Sequence, residues 1–207
     1  MLSTGGNSTL QQMKVLGRVP LAWVYRAALC VILPLGAWGS GWPTYRGDGA
    51  RSGYSAEPLA NELTQHWIHR PRHAPRPAWR GADSRMPFDR AFHAVIAGDA
   101  LFFGSSADGS VTALDAVTGA ERWSFLTAGP VRFAPAISGD RALAVSDDGF
   151  LYCLATGDGK LLWKKRGHDD GGMVLGNGRL ISRWPARGGP VIADGVVYWA
   201  AGIWPSE

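Results

Sequence analysis

Cysteine is scarce in this sequence: 207 residues carry two, Cys30 and Cys153. Cys30 lies in an N-terminal segment that reads as removable, which would leave Cys153 without an intramolecular partner and excludes a disulfide framework. Charge is sparse too, at 18% Asp, Glu, Lys and Arg. Acidic residues are missing from positions 1–39, which hold Lys14, Arg18 and Arg26, so removing that stretch lowers the net charge from +4 to +1. The other basic excess, Arg70, Arg72, Arg76, Arg80, Arg85 and Arg90 against Asp83 and Asp89, sits in one proline-rich stretch. A nucleic-acid-binding protein concentrates basic residues on a folded face, so no nucleic acid partner is expected. The sequence also lacks a local Ser-His-Asp arrangement, a phosphate-cradling loop and carboxylates paired at a useful spacing.

The apolar run Ala27–Ala37 spans 11 residues, short of the ~20 that a membrane helix needs. Basic residues precede it, and Ala37 and Gly39 supply small side chains after it. This is the layout of a secretory signal. Residues 1–39 are therefore read as a signal peptide, with Met13 as an alternative start. Export to the periplasm or the cell exterior follows, and an uncleaved segment would be the chain's contact with a membrane. Leu29 is too large to precede a lipidated cysteine.

What is abundant points to β-structure. Apolar residues make up 46%, and the 28 glycines are about twice the usual share. Many tight turns between short segments are implied, which argues against a helical bundle. Ten tryptophans prompt a search for repeats. Ala94-Val95-Ile96-Ala97-Gly98-Asp99 parallels Pro135-Ala136-Ile137-Ser138-Gly139-Asp140. Asp108-Gly109-Ser110-Val111-Thr112-Ala113-Leu114 likewise parallels Asp148-Gly149-Phe150-Leu151-Tyr152-Cys153-Leu154. Gly119 and Trp123 follow the first copy, and Gly159 and Trp163 the second, with the tryptophans 40 residues apart. A third copy opens at Pro190, after an insertion near residues 166–188, and the chain stops at Glu207 within that unit.

Each unit divides into four short strands, in the first about His93–Ala97, Ala100–Gly104, Ser110–Asp115 and Glu121–Leu126. Gly98-Asp99 and Asp108-Gly109 are expected as two-residue hairpin turns, where Gly and Asp tolerate positive φ. Four strands repeating every ~40 residues describe a β-propeller blade. The fold class is all-β, an incomplete propeller of four-stranded antiparallel blades with about two full blades and part of a third. Residues 40–90 form a lead-in with a Pro/Arg-rich loop, and the blades occupy 91–207 as 91–127, 131–166 and a partial 189–207. Because a propeller closes with 4–8 blades, the sequence is expected to be an N-terminal fragment or to be completed by another piece.

The segment Leu114-Asp115-Ala116-Val117-Thr118-Gly119 with Trp123 resembles the pyrroloquinoline-quinone (PQQ)-type, tryptophan-docking propeller repeat. Leu154-Ala155-Thr156-Gly157-Asp158-Gly159 with Trp163 resembles it less closely, with Ala155 where the family favours Asp. Trp42-Pro43-Thr44-Tyr45-Arg46-Gly47-Asp48 is similar to the opening of exported bacterial forms. The resemblance implies that Trp123 and Trp163 pack between neighbouring blades.

Catalytic residues are not expected, and cofactor-binding residues are left open. His168, Asp169 and Asp170 lack the spacing of a zinc or calcium site, so they read as a turn and no metal ligands are assigned. His66, His69 and His73 have helical spacing, but Pro71, Pro75 and Pro77 forbid a helix and leave an extended loop. Cys153 reads as a buried core residue. Candidate ligand-binding residues are Arg132, Arg179, Arg183, Trp184 and Arg187, because arginine forks grip carboxylate, sulfate or phosphate and tryptophan offers a flat face. The competing reading makes Arg179, Arg183 and Arg187 part of a solvated loop, paired with Asp169 and Asp170.

The resemblance includes members that assist outer-membrane protein assembly, which favours a non-catalytic exported binding or scaffold module. Its partner would be another protein or the missing blades. One alternative is part of a PQQ-dependent alcohol or sugar dehydrogenase, the case in which PQQ and calcium would be cofactors. A second is carbohydrate or polyanion binding through Arg183, Trp184 and Arg187.

Overall fold

The computed structural model describes residues 11–14, 41–78, 87–176 and 178–202. The rest of residues 1–39, with the expected export run, lies outside the described residues. Strands β2 (Ala94–Ala97), β3 (Ala100–Ser105), β4 (Ser110–Asp115) and β5 (Glu121–Leu126) form one antiparallel sheet in chain order. Strands β6 (Ala136–Ser138), β7 (Arg141–Val145), β8 (Phe150–Ala155) and β9 (Leu161–Arg166) repeat it. A hairpin of β10 (Met173–Gly176) and β11 (Arg179–Ser182) fills the insertion. The third sheet contains β12 (Val191–Ala193) and β13 (Val196–Trp199), with β1 (Gln11–Lys14) antiparallel to β13 on its far side. Strand β6 lies between β2 and β12, so these three are the inner strands of adjacent blades.

The first turn of each blade is as expected. Ala97 pairs with Ala100 and Ser138 with Arg141, which leaves two-residue loops. In β12–β13 the loop residues Asp194 and Gly195 both have positive φ, 50° and 74°, the type I′ geometry that suits strand twist. The second turn differs from expectation. Ser105 pairs with Ser110, so Asp108-Gly109 belongs to a four-residue loop. That loop is longer because Asp108 is fastened to Ser105: its backbone N–H donates to Ser105 Oγ, which donates in turn to Asp108 Oδ2.

The middle strands of the two four-stranded sheets are buried on both faces, which explains why β7 and β8 run apolar after Arg141 rather than alternating. In β7 and β8, Ala142, Ala144, Tyr152 and Leu154 join Phe102, Val111, Ala113 and Trp123 of the preceding blade. Leu143, Val145, Leu151 and Cys153 point the other way, toward Val197 and Trp199. Period-two alternation thus sends successive side chains into two different interfaces. Each fully buried Leu, Val or Phe stabilises the stack by about 1.5–3 kcal/mol.

Trp123 locks the first two blades together. Its indole N–H donates to Thr156 O at 2.8 Å, and its ring lies over Gly159. Gly159 has φ +71°, and a Cβ there would come 2.5 Å from the indole, so both backbone conformation and space require glycine. Trp163 is half-buried and packs against the cluster shared by the second and third blades. Trp67, in the lead-in, repeats the Trp123 arrangement on the outer face of the first blade. Its N–H donates to Ala116 O at 3.1 Å, and Gly119 lies beneath its ring.

The remainder of the lead-in follows the inner strands. Ile96 N–H donates to Trp42 O at 2.9 Å and Ile137 N–H to Pro43 O at 2.8 Å, while Gly49 approaches Val191 and Ile192. Residues 42–49 therefore run along the inner edges of β2, β6 and β12. Tyr45 packs edge-on against His93 and Phe133, and Arg51 donates to Gly189 O at 2.7 Å.

Candidate functional site

Successive strands reverse direction, so each blade has two ends. One end carries the two-residue turns and the docked tryptophans. The other carries the second turns, near Ser106–Gly109 and Ser146–Gly149, and the links from blade to blade at 127–135 and 167–190. The polar chemistry is gathered at this link end.

Its centre is Asp147, which is fully buried. Arg132, from the first link, donates from Nε to Asp147 Oδ2 at 2.9 Å and brings Nη2 within 2.8 Å of the same oxygen. Arg187, from the second link, donates to Asp147 Oδ1 at 3.0 Å and to Oδ2 at 3.1 Å. Arg132 Nη1 also donates to Arg76 O at 3.0 Å and to Asp89 Oδ2 at 2.9 Å. Asp89 lies in the short 3-10 turn Pro87–Arg90 and accepts a further hydrogen bond from Ala78 N–H at 2.6 Å. Two carboxylates and two guanidinium groups thus form a neutral network from which water is almost excluded, with each ion paired, and Asp89 Oδ1 is the one carboxylate oxygen of it left buried without a hydrogen bond.

The five candidate ligand residues do not form one cluster. Arg132 and Arg187 belong to the buried network. Arg183 reaches Asp170 at 3.2 Å on the surface, as the competing reading holds for that residue, whereas Arg187 pairs with Asp147 rather than with Asp169 or Asp170. Trp184 is stacked on His168, with ring centroids 4.1 Å apart and planes 13° apart, so one of its faces is covered. Arg179 crosses to the first blade, where it donates to Ser106 O and Ala107 O. The regular spacing of Arg179, Arg183 and Arg187 has no structural counterpart because β11 ends at Ser182 and the chain turns.

The residues missed in sequence are Asp89, Asp147, Arg76 and Ser106. Arg76 N–H donates to Ser106 Oγ at 2.8 Å, placing the lead-in beside the second turn of the first blade. Burial, and then the charges of Arg76 and Arg132, hold Arg179 below the usual guanidinium value. Nearby, His73 Nδ1 lies 2.6 Å from Asp108 Oδ1. His69 packs against Phe103 instead, at 5.5 Å between ring centroids, so the histidines do not converge. His168, Asp169 and Asp170 form a turn in which Asp170 N–H donates to His168 Nδ1 and Gly172 N–H to Asp170 Oδ1. Among the described residues, no three His, Cys, Asp or Glu side chains are grouped to hold a metal.

Two four-stranded blades joined by docked tryptophans are the architecture of a repeat propeller, and the family model for the outer membrane protein assembly factor BamB matches residues 72–195. The chain belongs to this family of PQQ-like repeat propellers. A search of curated protein sequences finds no match. Among solved structures, the quinohemoprotein alcohol dehydrogenase from Comamonas testosteroni is 18% identical, with a TM-score of 0.58, covering 79% of this chain and 23% of the dehydrogenase. That likeness shows a shared fold. BamB from Moraxella catarrhalis is 22% identical with a TM-score of 0.35, covering 54% of this chain and 42% of that protein. The chain therefore spans less than half the length of either structure.

Proposed function

We propose that the chain is an exported, non-catalytic propeller module that binds or scaffolds other proteins during outer-membrane protein assembly. The observation that carries this reading is the match of residues 72–195 to the assembly-factor family. The link end supports it physically. Arg132 and Arg187 are closed onto Asp147, so the links make a rigid platform rather than a reactive pocket. From that platform the β10–β11 hairpin, which the first link lacks, extends Leu175 and Leu180 into solvent, 77% and 64% exposed. Exposed large apolar residues grouped on one element are the usual mark of a protein contact.

The dehydrogenase alternative would require PQQ and calcium. Among the described residues the candidates fit such a group poorly. Arg132 and Arg187 already have carboxylate partners, and residues 42–49 occupy the inner strand edges.

The test is to express the full chain in a bacterium lacking its own assembly factor and to quantify folded porin in the outer membrane. Restored porin together with recovery of the chain in the periplasmic fraction is the expected result. A chain that reaches the periplasm folded and leaves porin unchanged would remove the assembly reading. Dye-linked alcohol oxidation after adding PQQ and calcium would overturn the non-catalytic part.

A further inference from the structure

The neutral Asp89–Arg132–Asp147–Arg187 network leaves Arg76 and Arg179 over, and these two guanidinium groups line the same space. Neither has a carboxylate partner among the described residues. Arg179 is held in place by two carbonyl oxygens, Ser106 O and Ala107 O, which fix its direction without neutralising it. Burial first, and then the like charges of Arg76 and Arg132, disfavour the charged form of Arg179, against the smaller opposing pull of Asp108 and Asp147. An anion between the arginines removes that repulsion.

The space has the dimensions of an anion's end. Arg76, Ser106, Arg132 and Arg179 line a nook with free volume of about 10 Å³, room for about one oxygen atom by the size of a water probe. The nook shares Arg76 and Arg179 with a wider cleft of about 450 Å³ that His73 and Asp108 also line. Ser106 Oγ accepts from Arg76 N–H and keeps its own hydroxyl proton to donate. Planar guanidinium forks together with a hydroxyl donor suit a carboxylate or phosphate group. Asp108 also lines this cleft, 2.6 Å from His73 Nδ1, and its carboxylate disfavours a second acidic group there.

We propose that Arg76, Arg179 and Ser106 form a binding site for a ligand with a single terminal oxyanion, carboxylate or phosphate, one oxygen of which enters the nook while the body of the molecule lies in the cleft. This site is independent of the assembly reading, whose porin assay can fail or succeed without it.

The test is calorimetric titration of the full chain at low salt with inorganic phosphate and, separately, with acetate. Wild type should bind at least one with Kd below about 1 mM, and the tighter anion assigns the head group. Arg76→Gln and Arg179→Gln should each weaken binding about tenfold or more, while Arg183→Gln, on the surface pair with Asp170, should leave it unchanged. Should the Gln variants fail to fold, the arginine Nε–H resonances of wild type give the answer. Anion addition should shift those of Arg76 and Arg179. Absence of binding at about 10 mM of either anion, unchanged affinity in the double variant, or shifts confined to other arginines would overturn the proposal.

Discussion

Removing the charge of Asp147 should weaken the protein more than any surface change. In Asp147→Asn the side chain keeps its shape, but one oxygen becomes an NH₂ group facing guanidinium donors. Arg132 at 2.8 Å and Arg187 at 3.0 Å then lose their shared anion while remaining in a site that water barely reaches. Breaking a buried pair by removing one partner costs about 3–5 kcal/mol, a large part of the ~5–15 kcal/mol that holds a typical domain folded. With a urea slope of about 1–3 kcal/mol/M, the unfolding midpoint should fall by roughly 1–5 M. The loss should be non-additive. In Asp147→Leu combined with Arg132→Met, Arg187→Met and Asp89→Asn, no charge of the network stays buried without a partner, and most of the stability should return. Urea denaturation followed by tryptophan fluorescence measures each variant. A change below about 1 kcal/mol for Asp147→Asn, or strict additivity with Arg187→Gln, would refute the view that these ions act as one unit.

Other predictions concern the blade interfaces. Trp123→Ala should cost about 3–5 kcal/mol and Trp123→Phe about 1 kcal/mol through the lost bond to Thr156 O, both read from urea midpoints; equal losses would show that the ring's area is not what matters. Burial, the hydrogen bond to Asp148 and that carboxylate's charge hold the Tyr152 phenol well above its ordinary value of 10.0. The folded form therefore keeps its proton while the unfolded chain loses it, so this contribution is complete below pH 10 and is lost as pH rises further. Melting temperatures between about pH 9 and 12 should fall less steeply for Tyr152→Phe than for wild type, and identical slopes would count against the assignment. Burial pushes the Cys153 thiol above its ordinary value of 9.0. In a Cys30→Ser background, Ellman's reagent at neutral pH should therefore react at the rate of unfolding, whereas rapid reaction in the native state would mean that β8 opens on its own.

The blades were legible in the sequence because their causes are local. Gly98-Asp99 and Gly139-Asp140 set two-residue hairpins, and an apolar run between such turns has little choice but to be a strand buried on both faces. Trp123 and Gly159 were visible as members of successive repeats, in the pairs Gly119–Trp123 and Gly159–Trp163, and the structure joins them across the blades: the indole of one blade rests on the glycine of the next. Trp67 escaped notice because it lies 56 residues before Trp123, out of step with the 40-residue period. Its glycine, Gly119, was in plain view as a member of the repeat. The link end was illegible for a different reason. Asp147 is separated from Arg132 by 15 residues, from Arg187 by 40 and from neither by a helical or strand period. Asp89, in turn, lies 43 residues from Arg132. No pattern along the chain announces a network closed in space, so Arg132 and Arg187 drew attention as arginines while the carboxylates that hold them did not.

The two ends of the blades therefore differ in kind. At the turn end, Trp67 on Gly119 and Trp123 on Gly159 are the same device used twice, apolar, with a carbonyl waiting for each indole N–H. Such a joint is interchangeable and says how blades stack, not which blade is which. At the link end the backbone repeats, Thr127 N–H to Gly109 O recurring as Gly167 N–H to Gly149 O, but the charged side chains do not. When the two second turns are aligned on Asp108 and Asp148, Ala107 stands where the second blade has Asp147. The first blade therefore offers Arg179 a backbone carbonyl where the second offers Arg132 and Arg187 a carboxylate. That difference accompanies a neutral ion network at the second blade's turn and guanidinium groups without a paired carboxylate, among the described residues, beside the first blade's turn. Installing a carboxylate by Ala107→Asp should give Arg179 the partner that Asp147 gives Arg187, raise its pKa and abolish anion binding at Arg76 and Arg179. If Ala107→Asp folds and still binds phosphate or acetate as wild type does, the asymmetry between the two turns is not what creates the site.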